Sequence, residues 1–284
     1  MHYTTLISTE DLAAGIADPL WVVFDCRHDL MDVEAGRRAW NVDHLPGARF
    51  AHLDEDLSGP KTGRTGRHPL PDVAAFAQWL GAQGVDAHRQ VVAYDASGGY
   101  YAARLWWMLR WLGHDRVAVL DGGYPQWKLE GRALTQAAPQ VEPTTFTPHR
   151  RDALRVDAAT VLASLRAPDM LVVDARTPER FAGRNETMDP VGGHIPGAVN
   201  RFFQLNLDGA GLFKPAGTLR EEFTAVIGGR TAAQVVHQCG SGVTACHNLL
   251  AMEVAGLTGS RLYPGSWSEW CADPARPVAR GPQP

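Results

Sequence analysis

The sequence predicts two α/β domains in tandem, each a parallel sheet flanked by helices on both faces. Three observations lead there. The chain has 284 residues, whereas single domains cluster near roughly 100–150 residues. Its landmarks recur at a nearly constant interval, as a duplicated domain requires. Val22-Val23-Phe24-Asp25-Cys26-Arg27 returns as Leu171-Val172-Val173-Asp174-Ala175-Arg176, His44-Leu45-Pro46-Gly47-Ala48 returns as His194-Ile195-Pro196-Gly197-Ala198, and Val91-Val92-Ala93-Tyr94-Asp95 aligns with Val235-Val236-His237-Gln238-Cys239. Within each half, short apolar runs alternate with helical patterns, the signature of buried parallel strands joined by crossover helices.

The elements follow in chain order. Strands are expected at 21–24, 91–94, 117–120, 171–173 and 235–238, where β-branched and aromatic residues run together. Helix starts are marked by Ser8 with Asp11, by Asp72, by Asp157, and by Thr218 with Glu221, read as a capping box. Residues 100–112, with Trp106, Trp107 and Trp111, form a helix apolar nearly all round and so belong in a core or interface. Prolines at 139, 143 and 148 make an extended, semi-rigid linker. The expected domains are therefore 1–137 and 151–284, joined by 138–150.

Composition narrows the function classes. A hydrophobic share of 45% with nine Trp supplies enough surface to bury that disorder, collagen-like repeats and coiled coil are excluded. The 27 basic and 31 acidic residues leave a net charge of −4, with no basic run to track a phosphate backbone, so nucleic acid is not an expected partner. The amino terminus lacks a basic-then-apolar leader and the most apolar window, 105–112, is short and holds Arg110, so no membrane association is expected. Four cysteines, Cys26, Cys239, Cys246 and Cys271, form no evenly spaced framework and point to reduced thiols in a cytoplasmic protein.

One cysteine has a chemical context. Gln238-Cys239-Gly240-Ser241-Gly242-Val243-Thr244 follows a buried strand and enters a helix expected over 245–255. Unpaired N–H groups and the positive end of the helix dipole favour an anion there, and two glycines let the backbone curl around it. A phosphatase loop would need Arg six positions after the cysteine, where Ala245 stands. Zinc would need closer cysteine pairs, and thioredoxin-like chemistry a Cys-x-x-Cys, which the chain lacks. In the first half the same position is Asp95, a good cap that cannot carry sulfane sulfur.

The duplicated layout, the His-x-Pro-Gly-Ala element in both halves and the Cys-Gly-Ser-Gly-Val-Thr loop resemble the two-domain rhodanese-type sulfurtransferases. The fold would then be two tandem rhodanese-like domains, the second catalytic. Within that family the loop is similar to that of 3-mercaptopyruvate sulfurtransferases, whereas thiosulfate enzymes carry Cys-Arg-Lys-Gly-Val-Thr. The resemblance implies a sulfurtransferase that takes sulfur from 3-mercaptopyruvate onto Cys239 as a persulfide. Pyruvate is released, and the outer sulfur passes to a thiol such as thioredoxin or glutathione, or to cyanide. Thiosulfate sulfurtransferase, and a persulfide-carrying delivery protein with low small-molecule turnover, are the alternatives. No metal or organic cofactor is implied.

The resemblance also implies roles for particular residues. Ser241, with Asp54 and His68 from the first half, would handle the proton. Gly240, Gly242, Val243 and Thr244 would line the donor site, and Arg180 would hold its carboxylate. A second family Arg lies in a Glu-Pro-Arg element; here the stretch is Glu186-Thr187-Met188-Asp189-Pro190, which leaves Arg184 as the nearest candidate. Between Asp54 and His68 runs a Gly-rich basic loop, 57–67, of the length that in compact domains often serves function.

Overall fold

The structure, a computed structural model, describes residues 2–166 and 169–284. It divides into two compact units. The first comprises Met1–Gly59, Leu70–Arg151 and Gly209–Phe213; the second comprises Pro60–Pro69, Asp152–Asp208 and Lys214–Pro284. The basic loop that carries His68 thus belongs with the second unit. Residues 138–150 contain no helix or strand, and they are bound to the first unit rather than spanning open space. Thr144 N–H donates to Gly81 O at 2.8 Å, His149 N–H donates to Leu112 O at 2.8 Å, and Phe146 is buried.

The first unit holds a five-stranded parallel sheet made of β1 (Leu6–Ile7), β2 (Trp21–Asp25), β3 (Arg49–Phe50), β4 (Gln90–Tyr94) and β5 (Val117–Leu120), in the order β1-β5-β4-β2-β3. The second unit repeats it with β6 (Leu171–Asp174), β7 (Val199–Asn200), β8 (Val235–Gln238) and β9 (Arg261–Leu262), in the order β7-β6-β8-β9. The central pairs keep equivalent registers, Asp25 opposite Tyr94 and Asp174 opposite Gln238. β2, β4, β5, β6 and β8 are buried along almost their whole length, as strands covered by helices on both faces must be.

Three of the expected helix caps form: Ser8, Asp72 and Asp157 accept the N–H of Asp11, Ala75 and Thr160. The fourth differs. The helix Ala216–Ile227 begins at Pro215, so Thr218 lies inside its first turn; proline, preset for a helix entry, takes the boundary position. The Trp-rich helix is Ala102–Trp111, and all of it except Arg110 is buried.

The duplicated motifs turn out to be bracing. Asp25 at the end of β2 receives Arg27 Nε at 2.9 Å, and Asp174 at the end of β6 receives Arg176 Nη2 at 2.6 Å. Each histidine of the His-x-Pro-Gly-Ala elements is wholly buried. His44 stacks on Trp40 at 4.5 Å with Nδ1 2.7 Å from Trp40 O, and His194 stacks on Phe181 at 3.8 Å with Nδ1 2.9 Å from Phe181 O.

The loop after β4 shows what this turn does to an anion. The buried Asp95 carboxylate accepts four backbone N–H groups, from Ser97, Gly99, Tyr101 and Ala102, at 2.7–3.0 Å. Asp95→Ala leaves all four buried donors without that acceptor and is expected to cost about 3 kcal/mol or more, read by urea denaturation. Asp95→Asn, which retains one carbonyl acceptor, is expected to lose less.

Candidate active site

The corresponding loop after β8 presents sulfur in place of the carboxylate. Cys239 is 2% exposed, and the Gly242 N–H points at its Sγ at 3.2 Å. The helix Ala245–Val254 begins directly after the loop. A second short helix, Ser266–Trp270, holds the loop from the side: Trp267 N–H donates to Cys239 O at 3.0 Å and Ser268 N–H to Gly240 O at 2.9 Å. Ser266 sits at φ +54, a strained value for a side chain-bearing residue. Its hydroxyl accepts the Cys239 N–H at 3.1 Å and donates to Tyr263 O at 2.9 Å.

Gly242 is required by geometry. Its φ is +78, and a Cβ there would lie 2.3 Å from Pro264 O, an overlap with backbone that cannot swing away.

His68 and Ser241 meet: His68 Nδ1 lies 2.7 Å from Ser241 Oγ, with both side chains buried. The loop delivering His68 is tied down by its neighbour Arg67, whose N–H donates to Ser268 Oγ at 3.1 Å and whose Nη1 pairs with Asp189. A short proton route therefore ends two residues from the thiol.

A cluster of charges borders the loop. Arg180 donates Nε to Glu186 Oε2 at 2.9 Å and Nη2 to Glu186 Oε1 at 3.0 Å and to Asp189 Oδ2 at 3.2 Å. Glu186 also accepts the N–H groups of Met188 and Asp189. Burial would push its carboxyl up, but the Arg180 hydrogen bond and the Met188 N–H outweigh it and hold it below the usual range. Asp189 goes the other way: burial pushes its carboxyl up against the pull of Arg67. Arg176 lies over the Trp267 ring at 4.7 Å and ties Asp174 to this cluster through Glu186, 3.6 Å from its Nη1.

The residues expected from the sequence fall into three groups. Cys239, Gly240, Ser241, Gly242, His68 and Arg180 come together in the second unit, with Val243 buried and Thr244 half-buried behind them at the helix entry. Asp54 lies in the first unit, where its Oδ2 is 3.8 Å from His28 Nε2. Arg184 is exposed: its N–H closes a turn onto Glu179 O between Gly183 and Asn185, both at positive φ, which sets it on the surface and outside the Arg180 cluster. The guanidinium beside Arg180 is instead that of Arg67. Its position next to His68 in the basic loop was the one sequence signal for it. Glu186 and Asp189, read above as a departure from the family pattern, are the carboxylates that fix both arginines.

The other three thiols have no such setting. All are buried; burial pushes Cys26 well up from its ordinary value and Cys271 up to about 11.

Two outcomes follow from this geometry. Gly242→Ala is expected to lower unfolding free energy by about 2 kcal/mol or more and to abolish Cys239 chemistry, checked by denaturation and thiol labelling. His237, two residues before the thiol, is wholly buried, and burial pushes its imidazole down to about 3. Its folded pKa lies below the unfolded one near 6.5, so its contribution is complete above pH 6.5 and is lost as pH falls from there toward 3. At pH 5 it accounts for a loss of roughly 2 kcal/mol relative to pH 7, and His237→Leu is expected to shrink the measured pH 7-to-5 stability difference by that order.

Comparison with known proteins agrees with this architecture. The family model described as "Rhodanese-like domain" matches residues 8–130 and 157–273. A Pseudomonas aeruginosa protein named "Probable 3-mercaptopyruvate sulfurtransferase" is 47% identical over 283 residues, covering 99% of this chain and 100% of that one. Thiosulfate sulfurtransferase of Bos taurus is 34% identical, covering 94% and 92% of the two chains. Among solved structures, 3-mercaptopyruvate sulfurtransferase from Leishmania major superposes with a TM-score of 0.83 at 30% identity, over 94% of this chain and 74% of that one. SseA from Escherichia coli, a 3-mercaptopyruvate sulfotransferase, gives 0.81 at 28% identity, over 93% and 99%. With a buried thiol in the same strand-to-helix turn of a duplicated parallel-sheet domain, this chain belongs to the rhodanese family.

Proposed function

We propose that this protein is a sulfurtransferase whose donor is 3-mercaptopyruvate. The observation that carries the reading is the 2.7 Å contact between His68 and Ser241. Sulfite leaves thiosulfate as a stable anion and needs no proton, whereas pyruvate leaves as an enolate that must be protonated at carbon. A hydroxyl–imidazole pair beside the thiol fits the second task. The names of the relatives support a sulfur donor and acceptor in general.

In the first half-reaction the Cys239 thiolate attacks the donor sulfur. The sulfur–sulfur bond forms, the carbon–sulfur bond breaks, and its electron pair becomes the enolate, which takes a proton through Ser241 and His68 and departs as pyruvate. In the second, an acceptor thiolate attacks the outer sulfur and the S–S pair returns to Cys239. Gly242 N–H and its neighbours in the turn stabilise the sulfur anion, as the equivalent turn does the Asp95 carboxylate. The acceptor in this reading is thioredoxin, glutathione or cyanide, and Asp54 serves as a further proton-handling residue. No metal or organic cofactor takes part.

Among the described residues no helix is long and apolar enough to cross a membrane. None of the four cysteines is in a disulfide, which supports a place in the reducing cytoplasm.

Pyruvate release from 3-mercaptopyruvate, followed at steady state beside sulfite release from thiosulfate, tests the reading. The wild-type protein is expected to prefer mercaptopyruvate and to acquire +32 Da on Cys239. Cys239→Ala is expected to lose both, by on the order of 10³-fold or more. His68→Gln is expected to lower kcat with mercaptopyruvate by about 10²-fold or more and to affect thiosulfate less. Equal or better turnover of thiosulfate would point to the thiosulfate enzyme. A persistent adduct with negligible turnover would point to a sulfur-delivery protein.

A further inference from the structure

Position 240 bears no side chain, and the space a side chain would fill is occupied by two guanidinium groups. From the place where a Gly240 Cβ would lie, Arg67 Nη2 is 2.6 Å away, Arg180 Nη2 3.5 Å and Arg180 Nη1 3.6 Å. Gly240 is the residue next to the thiol, so both cations stand one residue from the reacting sulfur.

They are held there by carboxylates that use other nitrogens. Asp189, whose side chain is 3% exposed, takes Arg67 through Nη1 and Arg180 through Nη2; Glu186 takes Arg180 through Nε and Nη2. Arg67 Nη2 and Arg180 Nη1 stand outside these bonds and face the loop. The two side chains keep 26% and 20% exposure, so a small anion reaches them without unpacking the unit. Two open N–H groups on separate planar cations, side by side, match the two oxygens of a carboxylate.

We propose that Arg67 is a specificity-determining residue that, with Arg180, receives the carboxylate of a 2-oxo acid donor over Gly240, Asp189 serving as the strut that sets the two cations in register. This rests on the functional reading above and identifies the second cation that reading needs. The Glu186–Pro190 stretch contributes carboxylates that position cations, and a loop residue contributes the cation. The arrangement also accounts for glycine at 240, since any side chain there displaces the Arg67 guanidinium.

The experiment compares wild-type protein with Arg67→Gln and Arg67→Lys in two measurements. The first is the Kd of pyruvate by isothermal titration, which reads carboxylate capture without turnover. The second is KM and kcat with 3-mercaptopyruvate and with inorganic polysulfide, a donor that lacks a carboxylate. Arg67→Gln is expected to weaken pyruvate binding and raise the mercaptopyruvate KM by about tenfold or more, as loss of a charge-assisted pair implies. The kcat/KM ratio of mercaptopyruvate over polysulfide is expected to fall by a similar factor, and Arg67→Lys to recover part of it. Unchanged pyruvate affinity in Arg67→Gln, no pyruvate binding by the wild type, or an equal loss with both donors would overturn the proposal; the last would make Arg67 only a brace for the His68 loop. Failure of wild-type protein to release pyruvate from mercaptopyruvate, with pyruvate still bound and the binding still weakened in Arg67→Gln, would overturn the donor assignment and leave Arg67 in its role.

Discussion

The turn from a central strand into a helix, with its backbone N–H groups directed inward, is the constraint on which the rest of the molecule depends. It appears twice. After β4 it closes on the Asp95 carboxylate through four N–H bonds, and after β8 it closes on the Cys239 sulfur with the Gly242 N–H at 3.2 Å. The same backbone thus satisfies a permanent anion in one unit and stands ready for a transient one in the other. Burial forces this economy, because an inward-facing N–H without a partner is costly wherever water is excluded.

Holding that turn open for a thiol takes more than the turn itself. Asp95 stabilises its own loop, but sulfur is a weak acceptor, and the catalytic loop leans on its surroundings instead. Ser266, Trp267 and Ser268 take the polar groups of Cys239 and Gly240, and Pro264 O packs where a side chain at 242 would be. The strained φ of Ser266 is sustained by its hydroxyl bridging Cys239 N–H and Tyr263 O. Strain of this kind persists only where neighbouring bonds over-determine it.

The charges around the loop form a second tier built on the first. Asp174, Glu186 and Asp189 are matched by Arg67, Arg176 and Arg180 in a chain of contacts that runs from the end of β6 to the reactive loop. Buried or half-buried charges tolerate such places only when paired. The pairing has a geometric by-product: it fixes guanidinium groups whose remaining N–H groups face Gly240. Arg67 joins two tasks, since the residue that places a cation also anchors the segment that brings His68 to Ser241.

Sequence alone determined the parts that depend on local pattern. Hydrophobic alternation and landmark repetition located five strands to within a residue, the duplication and the Ser8, Asp72 and Asp157 caps. The glycines around Cys239 marked the turn, because an anion-binding curl needs residues without a Cβ at particular positions. The two-residue strands β1, β3, β7 and β9 were beyond that reading, since so short a run has no period and pairs only because a longer neighbour is already in place. Tertiary structure alone decided which side chains share the site. Nothing in the spacing of 67, 180 and 189 says that a loop from the first half packs into the second unit, or that Arg184, four residues from Arg180, is carried to the surface by a tight turn. Long-range charge pairing and the path of an irregular loop set those positions, and neither leaves a periodic trace in the chain.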